Sequence, residues 1–403
     1  MTKVLLIHNY YQLRGGEDQV VERELNMLRS RGIEAESYYV HNDSISQGIV
    51  DKAKVALNVT WSLNEYRKVR KKIMDMRPDV VHVHNFFPIV SPSVYYACES
   101  MAIPVVQTLH NYRLICPAAT FMREGEICEK CLSGSLINSV KYGCYRGSAL
   151  QTLPLAAMIK VNKMLGTWTN KVSKYIALTD FSRTKFIASG IPEEKIMVKP
   201  NFIKTPEKTD HNTPPLEKYL LYVGRISPEK GVENLLKAWD EVKTKSGFKL
   251  VIIGDGPDKE RLEQSYQQDD VLFLGKMNSD EVLFYMSHSH YLVVPSIWYE
   301  GFPLTIVEAY SVATPVLCSK IGSLEEVVIP DKTGFHFKHN DIYELAQTME
   351  YAINLDPLNY SLLRKSTLDN FERKYTEEIN YQFLMNIYHE AIEENRYGIA
   401  IRS

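Results

Sequence analysis

The stretch Tyr291-Leu-Val-Val-Pro-Ser-Ile-Trp-Tyr-Glu-Gly-Phe-Pro-Leu-Thr-Ile-Val-Glu308 reads as a strand, a turn and a helix in succession. Tyr291–Val294 is an apolar run of the length expected for a buried strand. Gly301 and Pro303 break it, and a helix is expected to open near Leu304. A strand that feeds a helix through such a turn aims free backbone N–H groups and the positive end of the helix dipole at one point, where an anion is stabilised. Glu300 would stand at the mouth, with Glu308 about one turn into the helix. Either carboxylate can accept hydrogen bonds from a ribose diol or a sugar hydroxyl. Taken alone, the pair reads more readily as two surface glutamates, one at each edge of a turn.

The same alternation repeats outward in both directions. Downstream, Pro315–Cys318 is a further strand; upstream lie Tyr219–Val223, Lys249–Ile253 and Val271–Leu274. Nearer the N-terminus, Val4–Ile7, Val80–Val83, Pro104–Thr108 and Tyr175–Leu178 have the same character, with helical patterns over Glu17–Arg31 and Asn64–Met76 between them. Continuous apolar runs alternating with helices imply a doubly wound α/β architecture with parallel sheets. Between the two sets, residues 203–218 carry Pro206, Pro214 and Pro215 among polar residues, which reads as a linker. A chain of 403 residues suits two domains of roughly 200 each. The expected division is an N-terminal domain at 1–202 with a cysteine-rich insertion at 111–147, a second domain at 203–375, and a helical tail at 376–403 packing back on the first.

Composition narrows the class. Hydrophobic residues make up 45%, charged residues 24%, and the net charge is −2, an ordinary globular balance with no basic stripe for a nucleic-acid partner. The first apolar run stops at His8, short of the roughly 7–15 residues of a signal-peptide core. No window approaches the roughly 18 apolar residues of a spanning helix. A cytoplasmic protein with reduced cysteines is expected. Lys68, Arg70, Lys71 and Lys72 form a basic cluster. Leu150–Lys174 mixes apolar residues and Trp168 with Lys160, Lys163, Lys171 and Lys174. Such a stretch is either a helix resting on anionic lipid or a core helix with a solvated face.

Two further loops follow strands of the second domain. Gly224-Arg225-Ile-Ser-Pro-Glu-Lys230-Gly231 supplies a bidentate guanidinium and a point charge, both suited to phosphate. Gly254-Asp-Gly-Pro257 lets the backbone come close to a ligand. Ligands of open α/β sheets gather at the carboxyl ends of the strands, where all these loops lie.

Together with Arg14-Gly15-Gly16-Glu17, these motifs resemble glycosyltransferase family 4, a retaining group with the GT-B fold of two facing Rossmann-like domains and a cleft between them. By that resemblance, Arg225 and Lys230 bind the donor diphosphate, Glu308 holds the ribose hydroxyls and Glu300 lies near the donor sugar. The backbone of Gly301, Phe302, Pro303, Leu304 and Thr305 completes the phosphate and sugar contacts, and Gly254 lines the same site. Base contacts fall near Gly275, Lys276 and Met277. From the first domain, Gly15 and Gly16 approach the donor phosphate. His110, near the transferred sugar, joins Arg225, Lys230 and Glu300 as a catalytic residue, and His84 and Asn85 are acceptor candidates. Pro303 stands where many relatives carry glycine, which removes one N–H donor from the loop.

The resemblance implies transfer, with retention, from a nucleotide-sugar to a glycan or lipid-linked acceptor in surface-polysaccharide biosynthesis. UDP is the favoured donor base, no metal serves the donor chemistry, and contact with the inner membrane surface is expected. The alternatives are a GT-B nucleotide-sugar epimerase and a non-catalytic nucleotide-sugar-binding subunit.

Cys116, Cys128, Cys131 and Cys144 stand apart from these motifs, spaced C-x11-C-x2-C-x12-C. In a reduced compartment this is a candidate structural zinc site; the other reading is ordinary thiols or a redox-sensitive pair.

Overall fold

The computed structural model of the chain describes residues 2–12, 15–42, 49–206 and 216–402. Arg14 and residues 207–215 of the expected linker lie outside them. The chain divides into two units: Met1–Phe121, Cys128–Asn201 and Asn380–Ser403 form the first, and Met122–Ile127 with Phe202–Ile379 form the second.

The strands are β1 (Lys3–Tyr10), β2 (Glu34–His41), β3 (Val80–Val83), β4 (Val105–Thr108), the short hairpin β5 (Met122–Arg123) and β6 (Glu126–Ile127), then β7 (Lys174–Ala177), β8 (Ile196–Val198), β9 (Tyr219–Val223), β10 (Lys249–Ile253), β11 (Val271–Gly275), β12 (Tyr291–Val294), β13 (Val316–Ser319) and β14 (Gly334–Phe337). The sheet of the first unit runs β2-β1-β3-β4-β7-β8 and that of the second β11-β10-β9-β12-β13-β14. Every pairing in both is parallel. The chain has the GT-B fold.

The second sheet shows why its strands read as unbroken apolar runs. Leu220, Tyr222, Leu250, Ile252 and Val293 point into one core with Leu235, Trp239 and Met349. Their neighbours Tyr219, Leu221, Val251, Ile253 and Leu292 point into another, with Ile306, Tyr310 and Leu324. The side-chain period of two splits each strand between two helical layers, so no face is left for polar residues.

Three strands of the two large sheets escaped the sequence reading, as did the hairpin β5–β6. β2, Glu-Ala-Glu-Ser-Tyr-Tyr-Val-His, is an edge strand with mostly half-buried side chains and lacks an apolar run. β8 has three residues, and β14 is Gly-Phe-His-Phe. The stretch Leu150–Lys174 is not one surface element. It resolves into helices Ala149–Met164 and Thr167–Asn170, and Lys174 lies on β7. There its ammonium is nearly buried, 2.7 Å from Glu394 on the helix Glu377–Arg402, so it offers nothing to a lipid surface.

Candidate functional site

In the second unit β9 is the first strand, and the chain leaves it to one side for β10 and β11 and returns to its other side for β12. The loops after β9 and β12 diverge at this switch in strand order, the place where an open α/β sheet offers a crevice. The backbone knits the surrounding loops together. Gly224 N–H donates to Ile253 O at 3.0 Å, Ile226 N–H to Asp255 O at 2.9 Å, Gly254 N–H to Gly275 O at 2.8 Å and Ile297 N–H to Glu229 O at 3.0 Å. Two glycines are required by this closeness. A Cβ on Gly254 would lie 1.8 Å from Gly224 O, at a φ of +151°, and one on Gly231 would lie 2.0 Å from Pro295 O.

Lys230 and Glu300, brought together across the switch, form an ion pair at 2.6 Å. Ser296 Oγ donates to the same carboxylate oxygen at 2.7 Å, and Lys230 Nζ lies 5.4 Å from the centre of the Trp298 ring. Burial pushes the Glu300 carboxyl up, but Lys230 and the hydrogen bonds outweigh it and hold it below the usual range. Arg225 is exposed, its carbonyl accepts from Tyr222 O–H at 2.8 Å, and its guanidinium makes no ion pair among the described residues. The helix Leu304–Ser311 follows, with Pro303 at its N-cap and no side-chain cap. Among the described residues the N–H groups of Gly301, Phe302 and Thr305 make no hydrogen bond, whereas Leu304 N–H donates to Phe302 O. Glu308 is half-buried one turn in. Lys276 is exposed and Met277 packs on the core under the β11 loop. Ser296, Trp298 and Tyr222 carry no motif of their own, and sequence reading missed them.

The first unit holds a second cluster, at the ends of β3 and β4. His110 Nε2 lies 3.0 Å from His84 Nδ1. His84 Nε2 lies 3.3 Å from Glu24 Oε2, and Glu24 Oε1 is 2.7 Å from Lys199 Nζ. A carboxylate beside Nε2 favours the His84 tautomer protonated there, so Nδ1 accepts from His110 and leaves the other His110 nitrogen as an acceptor. Burial, and then the neighbouring His84, hold the His110 pKa well below the ordinary histidine value, so the ring is neutral at pH 7. Asn380 accepts from Lys199 at 3.0 Å, and Tyr388 and Thr108 occupy the two ring nitrogens of His82 at 2.7 Å each. Glu24, His82 and His84 converge closely enough for a metal, but both nitrogens of His82 are taken and Lys199 already neutralises Glu24. They form a charge network rather than a cation site. Sequence reading missed Glu24, His82, Lys199 and Tyr388.

His84, Asn85, Phe87, His110, Asn111 and Arg113 line a small pocket. Glu17 accepts from Asn85 and Asn111 at 3.2 Å each, and burial with the nearby Asp18 charge pushes its carboxyl up to about 8. Gly15 N–H is committed to Asp18 at 2.8 Å, which leaves the exposed Gly16 at the first turn of the helix Gly16–Ser30. The four cysteines of the insertion are thiols, Cys116 buried and the others half-buried.

Two families match the chain. Residues 14–206 match "Glycosyltransferase Family 4" and residues 204–367 match "Glycosyl transferases group 1". An uncharacterized glycosyltransferase of Methanocaldococcus jannaschii is 25% identical over 353 residues, covering 83% of this chain and 82% of its own. The lipopolysaccharide 1,2-N-acetylglucosaminetransferase of Salmonella typhimurium is 28% identical over 184 residues, 41% of this chain and 48% of its own. Among solved structures, Anabaena HepE in complex with UDP and glucose superposes with a TM-score of 0.68 at 17% identity, covering 96% of this chain and 99% of that one.

Proposed function

This chain belongs to glycosyltransferase family 4, and from that premise we propose that it transfers a sugar, with retention, from a UDP-sugar to a glycan or lipid-linked acceptor in surface-polysaccharide biosynthesis. The observation that carries the reading is the partly buried Lys230–Glu300 pair beside the uncapped start of the helix Leu304–Ser311. Lys230, Arg225 and the unbonded amides of Gly301, Phe302 and Thr305 make a preorganised positive site in which a departing diphosphate is stabilised. Glu300, held ionised against Lys230, accepts sugar hydroxyls, and Glu308 accepts the ribose diol. The neutral His110 offers a nitrogen lone pair to a sugar hydroxyl. The acceptor oxygen attacks the face that the diphosphate leaves, and the leaving phosphate takes its proton. The chemistry asks for no metal. A UDP donor is favoured because the Anabaena relative of the same fold is seen with UDP.

No helix among the described residues is long and apolar enough to cross a membrane. Leu57, Trp61, Leu150, Leu153, Met164 and Leu165 are nonetheless exposed in the first unit, on or beside the helices Ile49–Asn58 and Ala149–Met164, which touch. With the neighbouring lysines they suit a peripheral contact with an anionic membrane surface, where a lipid-linked acceptor resides.

Calorimetric titration with UDP, GDP and dTDP tests the donor site. One nucleotide should bind, and Glu308→Ala should weaken it at least 100-fold, about 2.7 kcal/mol. Equal binding by the variant would remove the site from this loop.

A further inference from the structure

The insertion after β4 buries Tyr112, Ile115 and Phe121 at its start, but its outer part lacks a core of its own. From Met122 to Ser148 the buried residues are Ser139 and Gly143, and not one apolar side chain is buried. Nevertheless the segment is regular. It holds the β5–β6 hairpin and a helix at Ile137–Lys141. Ordering a stretch of this length without burying apolar surface leaves its conformational entropy uncompensated, and small coreless segments are held by cross-links or metals.

The backbone places the four thiols on successive turns. Cys116 N–H donates to Tyr112 O at 2.8 Å, and Ala119 N–H returns to Cys116 O at 2.8 Å. Cys128 N–H closes the base of the hairpin on Phe121 O at 2.7 Å. A tight turn that contains Cys131 follows, Leu132 N–H to Glu129 O at 3.0 Å. Cys144 N–H caps the short helix on Ser139 O at 3.0 Å. Cys116, Cys144 and Cys128 all lie near Cys131, so the four cysteines gather in one place.

We propose that Cys116, Cys128, Cys131 and Cys144 bind one structural zinc ion, which takes the place of the hydrophobic core that the outer part of the insertion lacks. No three of the sulfurs already lie within 4.8 Å of one another. A tetrahedral ion with Zn–S bonds of about 2.3 Å sets sulfurs about 3.8 Å apart, so binding draws them closer together. The site is separate from the donor loops and independent of the donor assignment.

Metal analysis of the purified protein should give one zinc per chain. The double variant Cys128→Ser, Cys131→Ser should lose it, and Cys98→Ala, which removes a core thiol outside the cluster, should keep it. Should the double variant fail to fold, the native protein decides. After chelation, cobalt should restore thiolate-to-metal charge-transfer absorption with the intense visible bands of a tetrahedral ion, and bound metal should protect four thiols from alkylation. Zinc below a tenth of an equivalent without a cobalt signal, or disulfides among the four cysteines in protein made without reductant, would overturn the proposal.

Discussion

Replacing Lys199 with methionine isolates the energetics of the network behind His110. Lys199 and Glu24 are 2.7 Å apart, with side chains 0% and 1% exposed. Methionine fills similar space but leaves the Glu24 carboxylate buried without its cation. Breaking a buried pair from one side costs roughly 3–5 kcal/mol. For a unit of this size that is a fall in Tm of roughly 6–20 °C by calorimetry, in the transition of the first unit. The pH dependence gives a second reading. In the native protein burial raises the Glu24 pKa, but Lys199, helped by His84 and His82, outweighs it and holds the carboxyl well below its ordinary value of 4.5. The stabilisation is therefore full above about pH 4.5 and is lost as pH falls through the lower folded value. Without Lys199 burial dominates, and the folded pKa rises above the unfolded one. The penalty should be greatest at neutral pH and should shrink as pH falls toward 4.5, where Glu24 protonates. Adding Glu24→Gln should recover much of the loss, because both charges are then gone. A penalty below about 1 kcal/mol at pH 7, or one that does not vary with pH, would refute the reasoning.

Glu17 titrates with the opposite sign. Its folded pKa, about 8, lies above the unfolded value, so the folded protein holds an extra proton between them and stability falls as pH rises from about 5 to 8. Glu17→Gln should flatten that slope in urea unfolding; an unchanged slope would place the proton elsewhere. Gly254→Ala should destabilise the second unit by about 3 kcal/mol or more, because its Cβ meets the Gly224 carbonyl in a backbone conformation that alanine resists. A melting temperature within a degree or two of native would show that the loops can part.

Much of the architecture was legible because parallel strands sandwiched between helices carry an unbroken apolar signal, as Val80–Val83 and Tyr291–Val294 do. β2 was not, since an edge strand with half-buried tyrosines has no such run. The donor loops were legible because glycine, arginine, lysine and glutamate fall at fixed offsets from strand ends. The network behind His110 left no local trace. Lys199 is 175 positions from Glu24, and Tyr388 is 306 from His82. A lone lysine or tyrosine in a sequence carries no sign that its partner lies across the chain. The hairpin Met122–Ile127 was equally hidden: it sits in the cysteine-rich insertion by sequence but belongs to the second unit.

The helix Glu377–Arg402 belongs, from Asn380 onward, to the first unit, where Tyr388 bonds His82 and Asn380 bonds Lys199. On the ribosome, these partners are made long after the sheet they complete. Between Asn201 and Asn380 lies the second unit, and at roughly 5–20 residues per second its synthesis takes about 10–40 s. Throughout that interval His82 waits for Tyr388 and Lys199 for Asn380, although Thr108 and Glu24 are already in place. The order of translation thus makes the unit that begins first the one that finishes last, and a nascent chain stalled within the second unit would expose the unfinished surface of the first to chaperones.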